Sequence, residues 1–345
     1  MSTWYGGWIY VFCFSLVSGF AQQNRHMTLD VVVADKSGKP VPGLQQQDFT
    51  LLDNKQPRKI VSFQAVQGGT ATADPPVEVI LLVDEVNTSF SNAAAERKEI
   101  EKFLRRSSGA LAQPVSIVFV SDSGATRTTS SRDGNAVIAA LNQKQFGLRT
   151  INRAQGVYGD NERIQLSLNA LKQFADYEAA MPGRKLVVWI SPGWPFLSGP
   201  GTEMDLTSQQ KQELFNSIVA FSDGLRRARM TLYDVDPLGM ADAGQFRTTE
   251  YMEFSKAVGK AGQAQRGHLA LQVLAYQSGG RVLNSSNDVA GEIATCVADA
   301  NGFYVLSFEG LAGDGPNQYH ALEIKIDKPG LTARTRSGYY AQPER

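Results

Sequence analysis

Four short apolar runs constrain this chain more than any other feature: 77–83 (VEVILLV), 115–120 (VSIVFV), 185–190 (KLVVWI) and 230–235 (MTLYDV). Each is too short for an ordinary helix and too continuous for a strand with one wet face. Such runs fit strands covered on both faces, as in a parallel sheet. Helical patterns lie between them. Segment 93–106 carries Ile100, Phe103 and Leu104 on one stripe, and Asp133 caps a helix over 135–141. Segment 163–181 places Ile164, Leu168, Leu171 and Phe174 at helical spacing and stops at Pro182-Gly183. Segment 209–229 is a long helix, and 269–277 ends at Ser278-Gly279-Gly280. A short strand at 281–283 and a last helix at 288–300 follow. The alternation predicts a doubly wound, mostly parallel α/β sheet. Ligands bind such sheets beyond the carboxyl ends of the strands. The loops that matter are therefore 84–91, 121–129, 191–201 and 234–239.

The flanks follow a different rule. Segments 27–34, 49–52 and 59–66 alternate and are joined by tight turns, with no helix between them. After Gly302 the same pattern returns in 303–308, 319–327 and 332–340. Three strands at either end bury too little alone. The expectation is a β-sandwich built from both ends of the chain, 22–70 and 302–345, with the α/β unit 77–300 inserted between. A Gly/Thr/Pro linker at 67–76 marks the first boundary.

Residues 8–17 (WIYVFCFSLV) form an apolar run well short of the roughly 20 residues that span a bilayer. Small residues follow at 18–21, then Gln22-Gln23-Asn24. This predicts a secretory signal cut after Ala21, although no Lys or Arg precedes the run. The mature chain is then secreted or periplasmic, with no membrane span. Of two cysteines, Cys13 leaves with the signal and Cys296 remains alone, so no internal disulfide is expected. Apolar neighbours make Cys296 a buried, inert thiol. Lys+Arg and Asp+Glu number 34 each, without the basic excess of a nucleic-acid binder. Three scattered histidines, no Cys-x-x-Cys and no Gly-rich phosphate loop leave little support for common catalytic or metal motifs.

Segment 77–89 (VEVILLVDEVNTS) is an apolar strand ending in Asp, followed by small hydroxylated residues and a helix. Together with 182–193 (PGRKLVVWISPG), 274–287 (LAYQSGGRVLNSSN) and 324–340 (IKIDKPGLTARTRSGYY), it resembles von Willebrand factor A (vWA) domain proteins. The likeness is to the vWA-related group first recognised in acidobacteria, and covers most of the mature chain. It implies a vWA/Rossmann-like sheet and a secreted, non-enzymatic module for adhesion or scaffolding. It also implies a metal-ion-dependent adhesion site holding Mg²⁺ at the top of the sheet, built from Asp-x-Ser-x-Ser, a Thr and a later Asp. Here Asp84 is in place, but two and four residues on stand Val86 and Thr88. The second loop falls near 159–162 with no Thr, and Ser191-Pro192-Gly193 occupies the place of the later Asp. The resemblance thus implies a degenerate site at Asp84, Asn87 and Thr88 that holds Mg²⁺ weakly or not at all.

Other readings compete. Asn87 or Thr88 could simply cap the next helix. Ser191 lacks the Gly-x-Ser-x-Gly context and a nearby His that a nucleophile needs, so a strand-end turn is the simpler assignment. Trp189 belongs in the core. Trp194 sits in a Pro/Gly-rich loop, either as a packing lid or as an interface anchor. Asp234 and Asp236 form either an acidic rim or a turn, and Arg226, Arg227 and Arg229 complement a helix end. The leading expectation is a protein partner docking around Asp84, Thr88, Ser191 and Trp194. The alternative is a hydrolase using Asp84 as nucleophile or base, and a third is that the sandwich binds while the α/β unit is a spacer.

Overall fold

A computed structural model describes residues 26–67, 77–144, 156–195, 206–238 and 251–343. The segment read as a secretory signal and the linker beyond Gln67 lie outside the described residues.

The apolar runs are the parallel strands of one sheet. β5 (Val77–Asp84), β6 (Ala110–Ser121), β9 (Arg184–Ile190), β10 (Met230–Val235) and the short β11 (Val282–Leu283) run parallel. β7 (Gly124–Arg127) returns antiparallel from β6 through a two-residue hairpin, and β8 (Ser131–Asp133) pairs with the same strand. The order is β11-β10-β9-β5-β6-β7. The chain leaves β5 towards β6 on one side and adds β9 later on the other, so the topological switch point lies between β5 and β9.

Helices cover both faces, which is why the strands carry unbroken apolar sequence. Alternate residues of β5 point opposite ways: Val79, Leu81 and Val83 join one cluster, Ile80 and Leu82 the other. The first cluster is closed by α1 (Phe90–Leu104), α2 (Gly134–Gln143) and α6 (Val289–Ala298). The second is closed by α3 (Gly156–Ala179), α4 (Ser208–Arg227) and α5 (Leu271–Gln277). Cys296 is fully buried in the first, and burial pushes its thiol well above the usual range.

Two four-stranded antiparallel sheets lie outside this unit. One is ordered β14-β1-β12-β4, from β1 (His26–Ala34), β4 (Ser62–Gln67), β12 (Gly302–Glu309) and β14 (Thr332–Arg334). The other is β15-β13-β2-β3, from β2 (Phe49–Asp53), β3 (Gln56–Arg58), β13 (Gln318–Ile326) and β15 (Gly338–Ala341). Leu29, Val31 and Leu306 from the first share a core with Leu51, Ile324 and Tyr339 from the second. Each sheet thus combines strands from both ends of the chain.

Two strand expectations change. Segment 332–340 is not one strand but two, β14 and β15, in opposite sheets. Its middle turns towards the α/β unit instead: the Ser337 amide donates to the Gln277 carbonyl and the buried Arg336 to Ser222. β3 runs through Pro57, which reads as a turn in sequence. It lies at a sheet edge, where a missing N–H is tolerated.

The two units meet at a buried polar knot. Asp299, at the end of α6, is fully buried and accepts from Tyr233 Oη of β10 at 2.8 Å and Arg334 Nη2 of β14 at 2.7 Å. Arg184 of β9 donates to the Asp299 carbonyl at 3.0 Å and lies over the Phe303 ring at 4.3 Å. Nearby, Arg229 pairs with Asp30 of β1 at 2.5 Å.

Candidate functional site

Asp84 ends β5 at the switch point and is fully buried. Its side chain accepts five hydrogen bonds. Oδ1 receives the Val86 and Asn87 amides at 3.0 and 2.9 Å. Oδ2 receives Asn87 Nδ2 at 2.9 Å, Trp189 Nε1 at 3.0 Å and Ser191 Oγ at 2.9 Å. A carboxylate offers about four lone-pair positions, so these donors occupy it completely. Asn87 Nδ2 also donates to Ser167 Oγ at 2.9 Å, tying the loop to α3.

The other sequence candidates arrange themselves around this anchor. Val86, where the resemblance implies a ligand, is 1% exposed and packs in the second core cluster. The Thr88 hydroxyl points inward and donates to Glu96 Oε1 at 2.9 Å. Neither Asn87 nor Thr88 caps α1; Ser89 does, accepting from the Asn92 amide. Ser191 Oγ donates a hydrogen bond to Asp84 and accepts one from the Gly193 amide at 3.1 Å, which closes a strand-end turn. Residues 159–162, expected in a loop, lie in the first turns of α3. Asp84, Thr88 and Ser191 are thus buried beneath the loops and offer a partner no direct surface.

The donor set around Asp84 does not fit Mg²⁺, which needs oxygen lone pairs. Here Asp84 has none left, and the position of the later Asp supplies a hydroxyl already committed. Among the described residues no group of three or more His, Cys, Asp or Glu is placed to hold a metal ion.

What opens to solvent is a cleft of about 240 Å³ beside the anchor. It is lined by Asn87, Asp160, Arg163, Pro192, Gly193, Trp194, Asp234, Asp236, Gln272 and Asn284. Trp194 is 3% exposed and packs edge-on against Trp189, with ring centroids 5.2 Å apart. It is a packing lid on the core and a cleft wall at once. Gly193 is required on two counts: its φ is +87°, and a Cβ there would lie 2.3 Å from the Gln272 amide nitrogen.

Acidic groups gather under the cleft. Asp234 is fully buried, and burial, then Asp236, Asp84 and Glu292, push its carboxyl well above the usual range. Burial pushes Glu292 up to about 7, with Asp236 adding to it. Glu96 rises to about 8, mainly through burial; the Thr88 bond opposes the shift, and Asp84 and Asp236 reinforce it. Glu96 is therefore neutral at pH 7. The folded chain keeps a proton that the unfolded chain releases above about pH 4.5. Stability is full below that point and falls as pH rises through about 8. Urea titrations from pH 5 to 9 are expected to show this decline in wild type. Glu96→Gln is expected to flatten it by several kcal/mol, at about 1.4 kcal/mol per pH unit crossed. An unchanged slope would mean that Glu96 ionises freely in the fold.

Ser167, Gln272 and the donor role of Trp189 escaped the sequence reading. They reach the site from elements distant in the chain, and no local pattern marks them. No helix among the described residues is long and apolar enough to cross a membrane. No family model and no curated protein matches the chain. Among solved structures it is similar to the pilus adhesin SpaC from Lactobacillus rhamnosus GG, at 8% identity and a TM-score of 0.39. The match covers 86% of this chain and 49% of that one, so the chain spans about half the adhesin's length.

Proposed function

We propose that this chain is a secreted protein-binding module of the vWA type, for adhesion or scaffolding, that works without a resident metal. Its contact surface is the loop cluster at the carboxyl ends of β5, β9 and β10. The observation that carries this reading is the cleft at the switch point, the place where open α/β sheets take ligands. The hydrolase alternative draws no comparable support. Asp84 has every lone pair engaged and cannot act as nucleophile or base without dismantling its loop. The Ser191 hydroxyl already donates its hydrogen bond to that carboxylate.

The test uses a blocking substitution. Asn284 is a partly exposed residue of the cleft lining, so Asn284→Trp adds bulk to the cleft and leaves the core alone. Wild-type and variant mature chains are immobilised and exposed to envelope and extracellular proteins of the source cell, with EDTA or Mg²⁺. Proteins held by wild type in EDTA and lost by Asn284→Trp are the expected result. Equal capture by both, or capture only with Mg²⁺, overturns the reading. Turnover of esterase, phosphatase or protease substrates that disappears in Asn284→Trp would revive the hydrolase.

A further inference from the structure

The walls of the cleft carry an imbalance of hydrogen-bonding groups. Asp234 is fully buried, and neither of its oxygens completes a hydrogen bond. The Gln272 amide comes near enough to favour the charged form of Asp234 without satisfying it. Gln272 Oε1 and Asn87 Oδ1 are likewise buried acceptors with no donor. Against these four acceptor atoms stands one donor lacking an acceptor, the Trp194 indole N–H. Buried polar atoms are almost always satisfied, so four converging exceptions call for a ligand rich in donors.

Charge points the same way. Among the described residues Arg163 is the one basic group on the lining, and its guanidinium is ion-paired with Asp160. That pair cancels, which leaves no other basic group on the described lining beside the unpartnered Asp234 carboxyl. An incoming carboxylate would meet unsatisfied acceptors and no unpaired basic group among the described residues. The volume, about 240 Å³, lies below the roughly 300–1,000 Å³ of sites that enclose drug-sized ligands. It suits one long side chain, and the Trp194 ring adds an aromatic wall of the kind that attracts cations.

We propose that the cleft receives a single lysine or arginine side chain from the protein partner, with Asp234 as counter-ion and the Gln272 and Asn87 oxygens accepting its remaining N–H groups. This rests on the protein-binding reading and deepens it. It also departs from the vWA resemblance, which implies a site for Mg²⁺ rather than for a side-chain cation. A cation entering the cleft ionises Asp234 and removes the unfavourable burial of a lone acid.

The test needs no identified partner. Acetylated, amidated Gly-Gly-X-Gly-Gly peptides with X as Lys, Arg, norleucine or Glu are titrated into the ¹⁵N-labelled mature chain, and the Trp194 Nε1–H resonance is followed. The Lys and Arg peptides are expected to shift it with millimolar Kd, at least about tenfold tighter than norleucine, as one charge-assisted bond to a buried group predicts. Asp234→Asn keeps the shape of the side chain and removes the charge. It is expected to erase that preference while the unfolding midpoint holds. Equal binding of norleucine and lysine, binding of the Glu peptide with Mg²⁺, or no saturable shift with any peptide overturns the inference. If the Lys peptide fails while partner capture still depends on Asn284, the protein-binding reading stands and this one alone falls.

Discussion

Asp84→Ala is expected to destabilise the chain by about 3–5 kcal/mol, the range seen when a buried charged group is deleted and its partners are stranded. Five donors lose their acceptor at once: two loop amides, the Asn87 side chain, the Trp189 indole and the Ser191 hydroxyl. An opposing effect exists, because removing a negative charge relieves Asp234 and Glu96. It is the smaller effect, since burial already raises both carboxyls towards their neutral forms. Urea denaturation at pH 7 gives the number directly. Asp84→Asn is a useful companion, because it keeps the shape but turns an amide N–H₂ towards donors. A residue kept only for metal or partner contact would behave differently. Its loss would leave stability unchanged or raise it, and that outcome would sink the anchor role.

Asp299→Ala is the second large effect, also about 3–5 kcal/mol. The buried Tyr233 hydroxyl and the half-buried Arg334 guanidinium would lose their shared acceptor. Tyr233 and Asp299 belong to the α/β unit and Arg334 to the sandwich, so the damage falls on the joint between them. The double variant Asp299→Ala/Arg334→Met removes both charges and is expected to recover a large part of the loss. A cost below about 1 kcal/mol for the single variant would mean that water replaces the carboxylate and the knot contributes little.

The parts of the fold legible in sequence are those with a strong local cause. β5, β9 and β10 read almost to the residue, because double-sided burial leaves no polar interruptions. The insertion of the α/β unit into a sandwich followed from a simple deficit, since neither set of strands could form a core alone. β7 and β8 are short, polar and at the sheet edge, so they carry no such signature. The break between β14 and β15 is set by Arg334 and Arg336 reaching into the other unit, which no periodicity reveals. At the site, the missing acid at Ser191 and the apolar Val86 were visible. What replaces the ligands was not, because the cage joins β5, β9 and α3 across 107 positions from Asp84 to Ser191. Asp234 was seen as an acid after a strand, while its burial and lack of partners emerge only in three dimensions.

The pairing of β1 with β12 has a consequence for biogenesis. His26 and Glu309 face each other across that ladder, 283 residues apart in the chain. At about 5–20 residues per second of synthesis, β1 emerges on the order of 15–60 s before its neighbour exists. Until then β1 and β4 expose both edges and an apolar face, a template for pairing with the wrong chain. The inserted α/β unit has all its own strands and can close first. The early strands stay unpaired until the last eighth of the protein arrives, and only then does the molecule lose its most adhesive unfinished surface.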